Sequence, residues 1–265
     1  MAANVPAVAA AIRILESLAE EWPRSKSPGT LVEELGLNRS TCYNILATLQ
    51  RAGWASPTER AGWSLGPRLL SLTGVSHELV ATIVQEELDD LSRSLGMVVF
   101  AAERDGSGSY TVVAKAERVS GIRVGVGVGD RFPFAAPALL QAFAAWIPPA
   151  ELAKQIAQHG LTRFTEFTVT DPEELDVLLE RCRADGFTRS IRQLDLSQAA
   201  AGATVFDAKS RPAMAVIVLA FSSELDDARV EIVGPVVREA ADRITRRIGG
   251  SAPANYRMAA HHEPA

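Results

Sequence analysis

Residues 38–53 read N-R-S-T-C-Y-N-I-L-A-T-L-Q-R-A-G. Cys42, Ile45, Leu46 and Leu49 fall at i, i+3, i+4 and i+7, the spacing that gives a helix one buried stripe. The opposite side carries Arg39, Ser40, Thr41, Tyr43, Asn44, Thr48 and Arg51, all able to hydrogen-bond and none acidic. Asn38 is placed to cap the first turn, and Gly53 to take the left-handed position at the end. Any surface helix has a polar face, so this one acquires meaning from what precedes it. Thr30-Leu31-Val32-Glu33 fits a capping box and opens a short helix that Gly36 closes. Two helices joined across Gly36, Leu37 and Asn38 have helix-turn-helix spacing. The second is then the one that enters the major groove of DNA, where phosphates attract cations and base edges meet forked donors.

Upstream, the sequence predicts a helix from Pro6 that buries Val8, Ala11, Ile12, Leu15, Leu18 and Ala19 before Pro23 and residues 24–29 break it. Downstream, 54–56 and 62–65 flank a turn at 57–61, a small hairpin with Arg60 near its tip and Trp54 and Trp63 as packing. Three helices and a hairpin make a winged helix-turn-helix, in which Arg60 meets phosphate or a narrow minor groove. Pro67 to Leu72 forms a further short helix, Gly74 marks a hinge, and the first domain is 1–74.

Val75 to Leu95 reads as a linker helix with Val80, Val84, Leu88, Leu91 and Leu95 in register. Its acidic run Glu86, Glu87, Asp89 and Asp90 lacks ligands at matching spacing elsewhere and reads as a solvated face, not a metal site. Met97–Glu103 and Tyr110–Ala116, joined by Asp105-Gly106-Ser107-Gly108, form a hairpin. Residues 120–128 alternate strictly, with Ile122, Val124, Val126 and Val128 on one face and Gly121, Arg123, Gly125 and Gly127 on the other, so a strand with a bare face is expected. Ala135–Trp146 is a buried apolar helix; Asp171 opens another that ends at Gly186; 199–206 and 213–221 pair as a hairpin; and a last helix buries Val230, Val233, Val237, Ala241 and Ile244, with a kink at Pro235. Strand pairs interleaved with long helices indicate an α+β domain over 75–250, an antiparallel sheet covered by helices, and 251–265, with His261 and His262, reads as a disordered tail.

Composition agrees with a soluble globular protein: 47% hydrophobic and 22% charged. No apolar run spans a bilayer and no export signal opens the chain, which places it in the cytoplasm. Cys42 and Cys182 both fall on apolar stripes and read as core residues, and no cofactor is called for. The net charge of −5 is uneven, because residues 1–74 hold seven Lys and Arg against six Glu, leaving −6 to the remainder. A domain of +1 touches few phosphates, so tight DNA binding calls for more than one copy. No G-x-S-x-G elbow, Walker loop or His/Cys metal spacing supports an enzyme. The alternative reading is a small-molecule-binding enzyme or sensor without DNA binding.

The runs A-I-R-I-L-E-S-L (11–18), L-V-E-E-L-G-L-N-R-S-T-C-Y-N-I-L-A-T-L-Q-R-A-G-W (31–54) and W-S-L-G-P-R-L-L-S-L (63–72) resemble the IclR family of bacterial transcriptional regulators. S-G-I-R (120–123), T-V-T-D-P-E-E-L (168–175), D-G-F (185–187), A-T-V-F-D (203–207) and A-A-D-R-I-T-R-R-I-G (240–249) are similar to that family's effector domain. The resemblance implies a winged helix joined by a linker helix to a GAF-like ligand domain, assembled as dimers or tetramers. It also implies a double-stranded DNA operator, a small-molecule effector and no membrane partner. Asn38 stands where the family usually has proline, and Asn44 where it usually has arginine. In P-F-A-A-P-A-L-L-Q-A (133–142) the usual histidine, glycine and lysine are replaced by Ala135, Leu140 and Gln141, and the acidic pocket residue after D-G-F by Gln193 or Asp195. An effector cavity is therefore expected among Arg123, Gly125, Gly127, Phe134, Ala135, Leu140, Gln193 and Asp195. Arg123 is its one cation, and the ligand is a small organic acid or aromatic metabolite.

Overall fold

Ser27 and Asn38, two short polar side chains, start the second and third helices of the N-terminal unit by accepting backbone N–H groups that no helical carbonyl can reach. The computed structural model describes residues 5–21, 24–58, 62–117 and 124–256, with residues 69–77 described by their backbone alone. Helix α1 spans Pro6–Glu20, α2 Pro28–Leu35 and α3 Arg39–Arg51; strands β1, Ala55–Pro57, and β2, Trp63–Leu65, pair antiparallel with Ser56 opposite Ser64. Ser27, not Thr30, is the cap of α2, because Pro28 has its φ fixed and no N–H to lose and so takes the first helical position. Gly36 closes α2 at φ +61, and Asn38 Oδ1 accepts from Thr41 N at 2.8 Å to open α3.

The stripe expected on α1 is one face off. Ala10, Ile14, Ser17 and Leu18 are buried, whereas Val8 and Ile12 are 56% and 51% exposed. Both sets obey helical spacing, so periodicity alone does not choose between them. Ile14 and Leu18 meet Leu31, Cys42, Ile45, Leu46 and Ala55 in a single core. Lys26, buried between α1 and α2, donates from Nζ to Glu34 at 2.7 Å and to Ser17 at 3.0 Å, and its backbone pairs with Trp63. The Glu34 carboxylate raises the pKa of the Lys26 ammonium, and the ammonium lowers that of Glu34.

Pro67–Leu69 is a turn of 3-10 helix that runs directly into α4, Leu70–Leu95. Gly74 therefore lies inside a helix, where the sequence predicts a hinge. Contacts divide the chain between Leu79 and Val80, against the expected 74/75.

The second unit is a six-stranded antiparallel sheet in the order β5-β4-β3-β8-β7-β6. Its strands are β3 Val98–Arg104, β4 Tyr110–Ala116, β5 Arg131–Phe132, β6 Thr188–Ile191, β7 Gln198–Phe206 and β8 Pro212–Phe221. One face, with Val99, Ala101, Val216 and Val218, packs on Leu88 and Leu91 of α4 and on Val233, Val237 and Ile244 of α8, Asp227–Arg247. The other, with Phe100, Ala102, Ile217 and Leu219, packs on α5, Pro137–Ala144, behind which lies α7, Pro172–Asp185. Burial on both faces explains why β8 is continuously apolar instead of alternating. Asp171 caps α7 and Gly186 ends it at φ +78, as the sequence predicts. Cys42 and Cys182 are buried free thiols, the latter pushed up to about 12 by burial.

Other expectations need correction. Val124 to Gly127 form no strand, because the outer edge of β4 is already taken by residues 129–132; Val124 and Val126 are nevertheless buried, while Val128 is exposed. Helix α6, Pro149–His159, and strand β6 lie outside the elements read from the sequence, although Leu152 and Ile156 of α6 stand at helical spacing. The acidic run on α4 is not simply solvated: Glu87 is buried, accepting from Arg243 Nε at 2.8 Å and Arg247 Nη1 at 3.1 Å, and Glu86 accepts from Arg247 Nη2 at 2.5 Å. Residues 251–256 are ordered: the Tyr256 hydroxyl donates to buried Asp242 at 2.7 Å, and its ring packs edge-on against Trp146 and Phe206. His261 and His262 lie outside the described residues.

Two variants report on this scaffold. Asn38→Ala removes the α3 cap and is expected to cost about 1 kcal/mol. Glu87→Ala removes the acceptor shared by two half-exposed guanidiniums, of which Arg247 keeps Glu86 and Arg243 can rehydrate, so its cost is expected at about 1.5–3 kcal/mol, below that of a fully buried pair. Urea unfolding of the full chain checks both, and an unchanged midpoint in either variant contradicts the role assigned.

Candidate functional site

The first candidate surface is built by α3. Because Cys42, Ile45 and Leu46 are buried, Arg39, Ser40, Tyr43, Asn44, Thr48 and Arg51 are exposed and Thr41 is half-buried. Their hydroxyls are not equally free. Ser40 Oγ donates to Asn38 Oδ1 at 2.9 Å, and Thr48 Oγ1 donates to the Asn44 carbonyl at 2.8 Å, so both serve the helix itself. Among the described residues none bonds the Arg39 guanidinium, the Tyr43 hydroxyl or the Asn44 amide. Tyr43 is 49% exposed. No acid occupies the first turn, so the partial positive charge of the helix N-terminus is unopposed there. Lys26, one of the few cations of this unit, is withdrawn into the ion pair with Glu34. Arg60 lies outside the described residues.

The second candidate is a cavity of about 430 Å³ in the second unit, between the sheet and the start of α5. Its floor is Phe100, Ala200, Ile217 and Leu219; its roof is Ala136, Pro137, Ala138 and Leu139; its sides are 130–132 and residues from 190 to 200. Phe100 and Phe132 stack with centroids 5.8 Å apart and planes 11° from parallel. Asp130, Arg131, Ser190, Asp195 and Gln198 supply the polar part of the wall.

Of the residues the sequence points to, Gly125 and Asp195 line this space. Gly127 does not; its N–H donates to Asp130 Oδ2 at 2.7 Å. Phe134 and Leu140 face the other way, into the cluster with Leu175, Leu179 and Cys182, where the Phe134 ring lies 5.0 Å from that of His159. Ala135 is buried just before α5 and also stands outside the cavity wall. The Gln193 carbonyl accepts from Thr168 Oγ1 at 2.6 Å, on a different groove with Phe167 and Arg189. Arg123 lies outside the described residues. Rotation separates these residues from the cavity: consecutive helical residues differ by about 100°, so Leu139 faces the sheet and Leu140 faces α7. In a helix apolar all round, no polar face in the sequence tells which. Gln141, buried within it, brackets the β6 edge, donating to the Arg189 carbonyl at 3.0 Å and accepting from the Arg189 N–H at 3.3 Å.

Among the described residues no group of three or more His, Cys, Asp or Glu is arranged to hold a metal ion, and no helix is long and apolar enough to cross a membrane.

Residues 7–58 match the IclR helix-turn-helix domain, and residues 73–246 the C-terminal domain of bacterial transcriptional regulators of the IclR type. The chain is 26% identical over 221 residues to the HTH-type transcriptional regulator KipR of Bacillus subtilis, covering 83% of this chain and 88% of that protein. It is 24% identical to the transcriptional repressor IclR of Escherichia coli, covering 93% and 91%. Among solved structures, an IclR transcriptional regulator from Alicyclobacillus acidocaldarius is similar, with a TM-score of 0.60 and 26% identity over 93% of this chain and all of the other. With a helix-turn-helix unit at its N-terminus and the matching C-terminal domain after it, the chain belongs to the IclR family of bacterial transcriptional regulators.

Proposed function

We propose that this regulator reads a pseudo-palindromic operator through α3, as a dimer or tetramer, and that a small ligand in the cavity of its second unit changes its hold on DNA. One observation carries the DNA part: Arg39, Tyr43 and Asn44 project from the exposed N-terminal half of a helix whose opposite stripe is buried. Asparagine pairs bidentately with adenine, and arginine reaches guanine or phosphate, so Asn44 is the base reader and Arg39 anchors or reads beside it. Arg60, at the tip of the wing, contacts the backbone or the minor groove.

Self-association follows from two features. Few free cations surround α3, which limits the phosphates one copy neutralises. The exposed Val8 and Ile12, one turn apart on α1, offer an apolar strip that a second copy covers. Two copies related by a two-fold axis place their recognition helices about one helical turn of DNA apart, or a multiple of it.

The ligand part rests on the cavity. Its volume and mixed wall are those of a small-molecule site, and the parallel rings of Phe100 and Phe132 favour the aromatic half of the sequence expectation. The organic-acid half depends on Arg123. Any ligand that regulates must bind one arrangement of the paired DNA-binding units more tightly than the other, since equal affinity shifts nothing.

Asn44→Ala is expected to relax specificity at one base pair, by about 1–3 kcal/mol, whereas Arg60→Ala weakens all sequences alike and lowers the salt slope by about one unit. Mobility shifts on operator variants across salt separate the two, and unchanged specificity in Asn44→Ala removes it as the reader. Light scattering at micromolar concentration is expected to give a dimer or larger; a monomer that still binds its operator contradicts the symmetric assembly.

A further inference from the structure

The charged groups of the cavity are mostly acidic. Among the described residues, its charged lining groups are Asp130, Arg131 and Asp195. The cation is shared with another acid: Arg131 Nη2 donates to Asp105 Oδ2 at 2.5 Å and to Ser107 Oγ at 3.2 Å. Ser107 and Arg131 hold the Asp105 carboxyl down at about 2. Asp195 Oδ1 accepts from the Ser197 hydroxyl at 2.6 Å and its N–H at 2.8 Å, which keeps this carboxyl below the usual range and leaves Oδ2 without a hydrogen bond from the described residues. Asp130 gives Oδ2 to the Gly127 N–H.

Deeper in the wall, Ser190 is 4% exposed, yet among the described residues nothing hydrogen-bonds its hydroxyl; the side-chain amide of Gln198 is likewise without a partner. Both side chains keep hydrogen-bonding capacity toward the cavity they line. These groups lie beside the stacked rings of Phe100 and Phe132.

We propose that the cavity selects small aromatic ligands that carry hydroxyl or amino donors and rejects aromatic carboxylates, with Asp195 and Gln198 receiving the donors while the ring lies against Phe100 and Phe132. The inference rests on the reading of the cavity as the ligand site. A carboxylate entering here meets the side chains of Asp130 and Asp195, together with a guanidinium whose charge Asp105 already shares. An alcohol or ammonium meets acceptors ready-made. Selection thus comes from repulsion of the wrong charge as much as from attraction of the right group.

Three probes of one shape test this by calorimetry on the full chain: tyramine, its neutral counterpart tyrosol, and 3-(4-hydroxyphenyl)propionate. Tyramine and tyrosol are expected to bind at least tenfold more tightly than the propionate. Asp195→Asn, on an exposed loop, is expected to narrow the tyramine preference to less than threefold. Ala200→Phe fills the cavity from β7 and is expected to abolish binding. Ala138→Phe fills it from α5, and serves if circular dichroism shows the first variant unfolded. Propionate binding as tightly as tyramine, and lost on filling, overturns the proposal while leaving the cavity as the ligand site. Probes that bind equally well to a folded filled variant, or none binding at all, overturn the cavity reading and the proposal with it. A tenfold tyramine preference that survives Asp195→Asn also overturns the proposal.

Discussion

Burial of Cys42, Ile45 and Leu46 against Ile14, Leu18 and Leu31 is the contact on which DNA recognition depends. A helix of 13 residues has only one way to satisfy that stripe, and once it does, Arg39, Tyr43 and Asn44 must point outward. The Asn38 cap fixes where the helix starts, and hence which residues occupy the first turn, where the backbone N–H groups and the helix dipole favour an anion. Lys26 contributes differently. By pairing with Glu34 and joining its backbone to Trp63, it ties the α1–α2 connection to the wing.

The second unit is governed by the central strands β3, β8 and β7, buried on both faces. The face toward α4 and α8 is filled with valine, leucine and isoleucine. The face toward α5 is less full where Ala200 of β7 meets Ala136 and Ala138, and there the cavity opens. Small residues on both sides of a tightly packed layer are what make space without breaking the fold. At Gly202 the same strand is tightly packed, since an added Cβ would press on the Ile217 side chain, the Thr188 hydroxyl and the Val216 carbonyl. One strand therefore supplies both a close contact and a void.

Much of this is legible in the residues. The α3 stripe, the Gly36 and Gly186 stops, the Asp171 cap and the β7–β8 hairpin all follow from local rules, because each is decided by neighbours in sequence. What is not legible depends on distant partners. The choice between two equivalent stripes on α1 is made by Leu31 and Ile45; the facing of α5 is made by the sheet on one side and α7 on the other. Phe132, Ser190 and Gln198 enter the site only because the strand order brings β4–β5 and β6 to the two ends of α5's shelter. Tyr256 is hidden in a run with no periodicity, and only the Trp146, Phe206 and Asp242 pocket explains its burial.

The central claim is that this chain distinguishes its operator from other DNA, and a competition experiment tests it most directly. The DNA upstream of the chain's own gene is labelled, and unlabelled copies of it or of unrelated sequence are titrated against the complex at fixed, near-physiological salt. The account predicts that the unrelated competitor is needed at about 10³-fold or greater excess over the specific one. Equal competition by both would mean that the outward face of α3 holds DNA without reading it.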